Sequence, residues 1–137
     1  IAQTKMTINQ RAPVDGVLVD VVCTGRFYDF LQGRPSTAPG AGSSTPPGGS
    51  TRWGIVRRQP IYEKDRMDPA DPAATLALDG ERLSRFPEGY RHLGYLQSKI
   101  GFNVKDNLPG LRGPVVQKLY AEGAAWLAGS PRPGEPL

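Results

Sequence analysis

The hydrophobic and polar positions divide the chain into a β half and a helical half. Residues 1 to 11 alternate: Ala2, Thr4, Met6 and Ile8 fall on one face, with Gln3, Lys5, Thr7 and Asn9 on the other. A period of two predicts a half-buried strand. "APVDG" follows, with Pro13, Asp15 and Gly16 supplying turn chemistry. Residues 17 to 30, "VLVDVVCTGRFYDF", carry the strongest strand pattern. Val17, Val19, Val21, Cys23 and Phe27 make a core face. The opposite face mixes Leu18, Asp20, Val22, Thr24, Arg26, Tyr28 and Phe30, as a pocket wall or subunit interface would. Gly25 inside the strand predicts a bulge or sharp bend.

Residues 31 to 51, rich in Gly, Pro, Ser and Thr, read as a long flexible hairpin loop with too little apolar surface to order itself. Residues 52 to 64, "RWGIVRRQPIYEK", are the partner strand, antiparallel to 17–30. Pro60 places it at an edge or a bulge. "DPADP" ends the β region. In "LDGERLSRF" Asp79 opens a short helix. In "PEGYRHLGYLQSKIG" Tyr90, Leu93, Leu96 and Ile100 recur at helical spacing. "VKDNLPGLRG" is a loop. "GPVVQKLYAEGAAWLAG" has Pro114 at its first turn, Gly129 past its end, and an apolar face of Val116, Leu119, Tyr120, Gly123 and Leu127. "SPRPGEPL" is a frayed tail. The expected division is 1–66 for the strands, 67–129 for the helical part and 130–137 for the tail.

At 137 residues the chain has the size of one domain. Its net charge of +4 is scattered among acids rather than gathered with aromatics, so nucleic acid is not an expected partner. No apolar run approaches the ~20 residues that span a bilayer. The single cysteine, Cys23, excludes an intramolecular disulfide and fits a reducing cytosol. The chain begins with Ile1 in what reads as a strand under way, which predicts further sequence before it.

The charged stretch Glu63, Lys64, Asp65, Arg66 reads as a solvated strand end laced by ion pairs, because strand neighbours point to opposite faces and cannot all line one pocket. Of Arg57 and Arg58, one is expected to pair with Asp20 or Asp29 on the neighbouring strand. His92 reads as a hydrogen-bonded structural group beside the helix stripe, and Cys23 as a small buried hydrophobe. One His and one Cys leave too few ligands for a protein-only zinc site of these residue types. Neither a metal nor a cofactor is expected.

The order of segments "QTKMTI", "VDVVCTGRFYDF", "WGIVRRQPIYEKDR", "DP..P", "FPEGYRHLGYLQ" and "LPGLRGP" resembles the SnoaL-like branch of the nuclear transport factor 2-like superfamily, over nearly all of residues 2 to 129. The resemblance implies an α+β fold: a curved, mostly antiparallel sheet of a cone that encloses an apolar pocket. The cone's N-terminal helices would precede Ile1, and the helical C-terminal part is an extension. The resemblance also implies a small hydrophobic ligand, a homodimer, and a parent that is an acid-base lyase, isomerase or hydrolase. The lack of a buried-looking acid-base pair in these residues gives a non-catalytic ligand-binding or dimerisation domain as the alternative, and the single cysteine points to a cytoplasmic location. Catalytic acid-base groups of the superfamily commonly lie on N-terminal elements, so none is assigned to a residue here. The candidates for substrate contact are Arg26, Tyr28, Arg57 and Tyr62. The long 31–51 segment departs from the tight connection that the family pattern implies.

Overall fold

The computed structural model describes residues 1–35 and 51–131 and is α+β: an open three-stranded antiparallel sheet with helices on both faces. The strands are Ala2–Val14 (β1), Val17–Pro35 (β2) and Thr51–Pro69 (β3), in the order β1-β2-β3. β1 and β2 join through Asp15 and Gly16, with φ of 47° and 84°, and Val14 faces Val17. Two successive positive φ values match the right-handed twist of a hairpin, and Asp-Gly tolerates them. β3 lies at an edge, which leaves Pro60 without a ladder bond to miss on its outer side.

β2 and β3 reach further than their apolar patterns indicate. Leu31 to Pro35 and Thr51, expected in a loop, are strand residues paired across the ladder. Backbone pairing needs no apolar side chain, so composition understates it. The rest of that expected loop, 36–50, lies outside the described residues, as does most of the expected tail.

β1 and β2 keep one register throughout, so odd residues of β2 occupy one face and even residues the other. The odd face is covered near the β1–β2 turn. Val14, Val19, Val21, Cys23 and Met67 pack with Phe86, Tyr90, Leu93, Tyr95 and Leu96. These come from α1 (Gly80–Ser84), a single 3₁₀ turn at Glu88–Tyr90, and α2 (Arg91–Lys99), together with the segments beside them. The valine face is thus shielded by the chain's own C-terminal helices. The even face is covered at the opposite end. Tyr28, Phe30 and Ile61 pack with Val116 and Leu119 of α3 (Pro114–Leu127). Each such side chain removed from water contributes about 1.5–3 kcal/mol.

Bulges on β3 link these two halves. The register shifts between Thr24 and Gly25, where Glu63 is skipped, and again between Phe30 and Leu31, where Val56 is skipped. A bulge adds a residue to one strand and bends it. Gly25 is required there, because a Cβ would sit 2.3 Å from the Ile61 carbonyl oxygen.

Local signals start the helices. The Asp79 side chain accepts from the Arg82 amide at 3.1 Å, an N-cap contact worth about 1 kcal/mol. Pro114 opens α3. Three expected core positions are not core. Ile100, the residue that closes α2, is 39% exposed, and Leu127, the last residue of α3, is 70% exposed. Trp126 takes the role expected of Leu127, its indole N–H donating to the Leu31 carbonyl at 3.1 Å. Phe27 lies outside both apolar clusters, half-buried under the Arg58 guanidinium at 4.2 Å from its ring centre.

The closest packing is between α3 and β2. A Cβ on Gly123 would lie 2.0 Å from the Tyr28 hydroxyl oxygen. Gly123→Ala should therefore destabilise the protein by about 1–3 kcal/mol in a urea melt, although alanine is the better helix former. Tyr28→Phe in the same chain should recover part of that loss. A Gly123→Ala variant as stable as the parent would contradict the docking of α3.

Candidate functional site

The outer edge of β3 is capped by a loop. The Tyr62 amide donates to the Pro109 carbonyl at 2.9 Å. The Tyr90 hydroxyl donates to the Lys105 carbonyl at 2.7 Å and accepts from the Leu108 amide at 3.3 Å. The buried Tyr90 ring in turn packs on Tyr62, with centres 4.7 Å apart. Two tyrosines thus fix where an otherwise irregular segment lies.

An open cleft of about 440 Å³ runs under this loop, lined by Tyr62, Glu63, Gly89, Leu108, Leu111 and Val115 among others. Gly89 is needed at its floor, because a Cβ there would come within 2.6 Å of the Tyr62 carbonyl oxygen. A smaller hollow of about 270 Å³ adjoins it and shares Leu108 and Val115. Its other walls include Arg57, Gln59, Lys105, Lys118 and Glu122. A third, broad hollow of about 570 Å³ lies on the sheet where no helix covers it, near Asn9, Asp20, Val22 and Arg66.

The four expected contact residues divide over these features. Tyr62 lines the main cleft and makes no side-chain hydrogen bond among the described residues. Arg57 lines the adjoining hollow, held by Glu122 of α3 at 2.5 Å. Arg26 acts behind the cleft: it donates to Glu63 at 2.8 Å and to the Tyr120 hydroxyl. Its Nε is buried without a partner. Tyr28 is not at the cleft. It is buried under α3, edge-on to Phe30 and Tyr120.

The acidic groups are mostly occupied. Glu63 receives Lys5 at 2.6 Å as well as Arg26, and these hydrogen bonds, Lys5 first, hold its carboxyl below the ordinary 4.5 against the opposing effect of burial. Asp29 is bound by both arms of Arg58 at 2.8 Å, the cross-strand pair expected for one of the two arginines. The Asp65 side chain is 1% exposed, accepting from His92 Nδ1 and from the Leu93 amide, each at 2.8 Å. It therefore tethers β3 to the first turn of α2, where unpaired amides and the helix dipole favour a carboxylate. The Cys23 thiol donates to the Gly89 carbonyl at 3.5 Å, and burial, followed by the charge of Asp65, pushes its pKa up to about 12. A thiol in that state is no nucleophile. Glu88 on the cleft rim is exposed. Among the described residues no group of three or more His, Cys, Asp or Glu could hold a metal ion, and no helix is long and apolar enough to cross a membrane.

The expected solvated strand end at 63–66 is therefore half wrong. Lys64 and Arg66 are exposed, while Glu63 and Asp65 are directed to partners on β1, β2 and α2. Periodicity shows that neighbours diverge, but it cannot reveal a helix terminus waiting on one side.

No known family profile matches the chain. It is similar to three fungal proteins across 94% of its length. A PEP2-like protein of Fusarium vanettenii is 36% identical, with 52% of that protein covered. An uncharacterised protein of Emericella nidulans is 31% identical, with 53% covered. Pea pathogenicity protein 2 of Fusarium vanettenii is 31% identical, with 52% covered. The chain thus spans about half the length of these relatives.

Sequence reasoning missed the Asp65–His92 pair and the whole loop wall of the cleft. The Asp65–His92 contact joins residues 27 apart, which no local pattern encodes. Leu108 and Leu111 lie in an irregular segment where periodicity is silent.

Two outcomes test these electrostatics. Asp65→Ala leaves the Leu93 amide unpaired and should cost about 1.5–3 kcal/mol in a denaturant melt, whereas loss within error would mean that the tether carries no stability. Glu63, depressed in the fold, stabilises above its ordinary 4.5 and loses that contribution as pH falls through its lower folded value. Glu63→Gln should therefore flatten the stability-pH curve between 4.5 and that lower value and leave its shape near neutrality unchanged.

Proposed function

We propose that this chain forms part of a SnoaL-like protein of the nuclear transport factor 2-like superfamily, and that its cleft along the β3 edge binds a small, largely apolar molecule without transforming it. The observation that carries the reading is the cleft itself: apolar Leu108, Leu111 and Val115 face the polar groups of Tyr62 and Glu63 under a loop pinned by Tyr90. Its volume falls in the range of about 300–1,000 Å³ typical of small-molecule sites. Pairing favours binding over catalysis: Glu63, the acid at the cleft's inner wall, is engaged by two cations and held in its ionised form. The cone of the superfamily is part of this proposal, supported by the bulged antiparallel sheet and the order of segments. So is a homodimer, supported by Trp53 and Ile55, 68% and 51% exposed on the first part of β3. A cytoplasmic location is supported only by the buried free thiol of Cys23.

The Asp65–His92 pair favours a second reading, acid-base catalysis in the longer protein. With Nδ1–H donated to Asp65, the half-exposed imidazole offers Nε2 as a proton acceptor.

A neutral aromatic probe such as methyl 2-naphthoate, followed by fluorescence titration, tests the binding reading. The parent chain should bind it, and Leu111→Asp or Val115→Asp, both changes at exposed positions, should weaken binding about tenfold or more. An absence of binding by the parent, or equal binding by the variants, would overturn it.

A further inference from the structure

We propose that the ligand is an amphipathic organic acid, its apolar body in the main cleft and its carboxylate in the adjoining hollow between Lys105 and Lys118. The inference rests on the binding reading and names the chemical class of its ligand. Three cations, Arg57, Lys105 and Lys118, border that hollow against one carboxylate, Glu122. Glu122 is committed to Arg57. The two lysine side chains have no ion pair or hydrogen bond among the described residues, whereas Lys5 and Lys99 each hold an acid. The amides of Gln59 and Asn107 add neutral polar groups beside the lysines. Asp106, the neighbour of Lys105, does not line the hollow.

The two spaces share Leu108 and Val115, so one molecule can lie across that ridge with its tail and its charge in different surroundings. The apolar contact provides affinity in proportion to the area covered. The lysines select charge, and they stand at an exposed site where salt screens their attraction. Loop and helix set their spacing: Tyr90 holds the Lys105 carbonyl, and Lys118 follows the first turn of α3.

The test compares 2-naphthoate with its neutral methyl ester at neutral pH and low salt, using the parent chain and the double variant Lys105→Gln, Lys118→Gln. Both lysines are exposed, and their removal leaves the packed clusters untouched. The parent should bind the acid about tenfold more tightly than the ester. In the double variant the two should bind alike, near the parent's affinity for the ester. Raised salt should erase the preference in the parent. Equal binding of acid and ester by the parent, or a preference that survives the double variant, would overturn the proposal while leaving the binding reading intact. Failure of both ligands to bind would overturn the two together. Inorganic phosphate should compete only weakly with naphthoate, and equal competition would mean a simple anion site without an apolar subsite.

Discussion

The ladder between β2 and β3, with its phase broken at Glu63, governs the arrangement of everything else. Among the described residues β2 is the only strand with neighbours on both sides. Its odd face is apolar toward the β1–β2 turn and its even face toward the far end. A regular flat ladder would offer these two patches with no change of direction between them. The skipped residue lets β3 bend, turns Tyr62 toward one helical layer, and leaves Glu63 directed at Arg26 and Lys5 on the other side. One backbone irregularity therefore serves both cores and places a tyrosine and a carboxylate side by side at the sheet's edge.

Polar tethers then fix the helices that apolar packing only positions approximately. Asp65 grips the first turn of α2, Glu122 reaches Arg57 from α3, and Tyr90 holds the loop between them. The pairs differ in worth. Asp29 and Asp65 are buried and fully hydrogen-bonded, so removing one partner would strand a desolvated group. Arg11–Asp20 and Arg66–Asp68 lie at the surface, where ion pairs contribute little.

Much of the fold was legible in the residues. Alternation placed β1, Asp-Gly placed its turn, Gly25 marked the bulge, and Asp79 and Pro114 marked helix starts. Those signals are local, so a linear reading recovers them. The misjudged positions follow one rule: Phe27, Ile100 and Leu127 are apolar and in phase, yet lie beyond the reach of the element that would cover them. The site was less legible. Tyr62 and Arg57 were named for it from strand position, but its remaining walls come from a loop with no period. Tyr28 has the same strand phase as Arg26 and differs only in lying directly beneath Gly123, a fact that belongs to α3. The free lysines of the hollow were invisible, since whether a lysine is paired depends on the whole fold.

The central claim is that the chain's own helices cover opposite faces of β2 at its two ends. One nuclear Overhauser spectrum addresses it. Cross-peaks should appear between the Tyr28 ring and the Gly123 α-protons, and between the Cys23 β-protons and the Gly89 α-protons. Absence of either contact in the folded chain, or contacts placing Tyr28 and Cys23 against the same helix, would contradict the account.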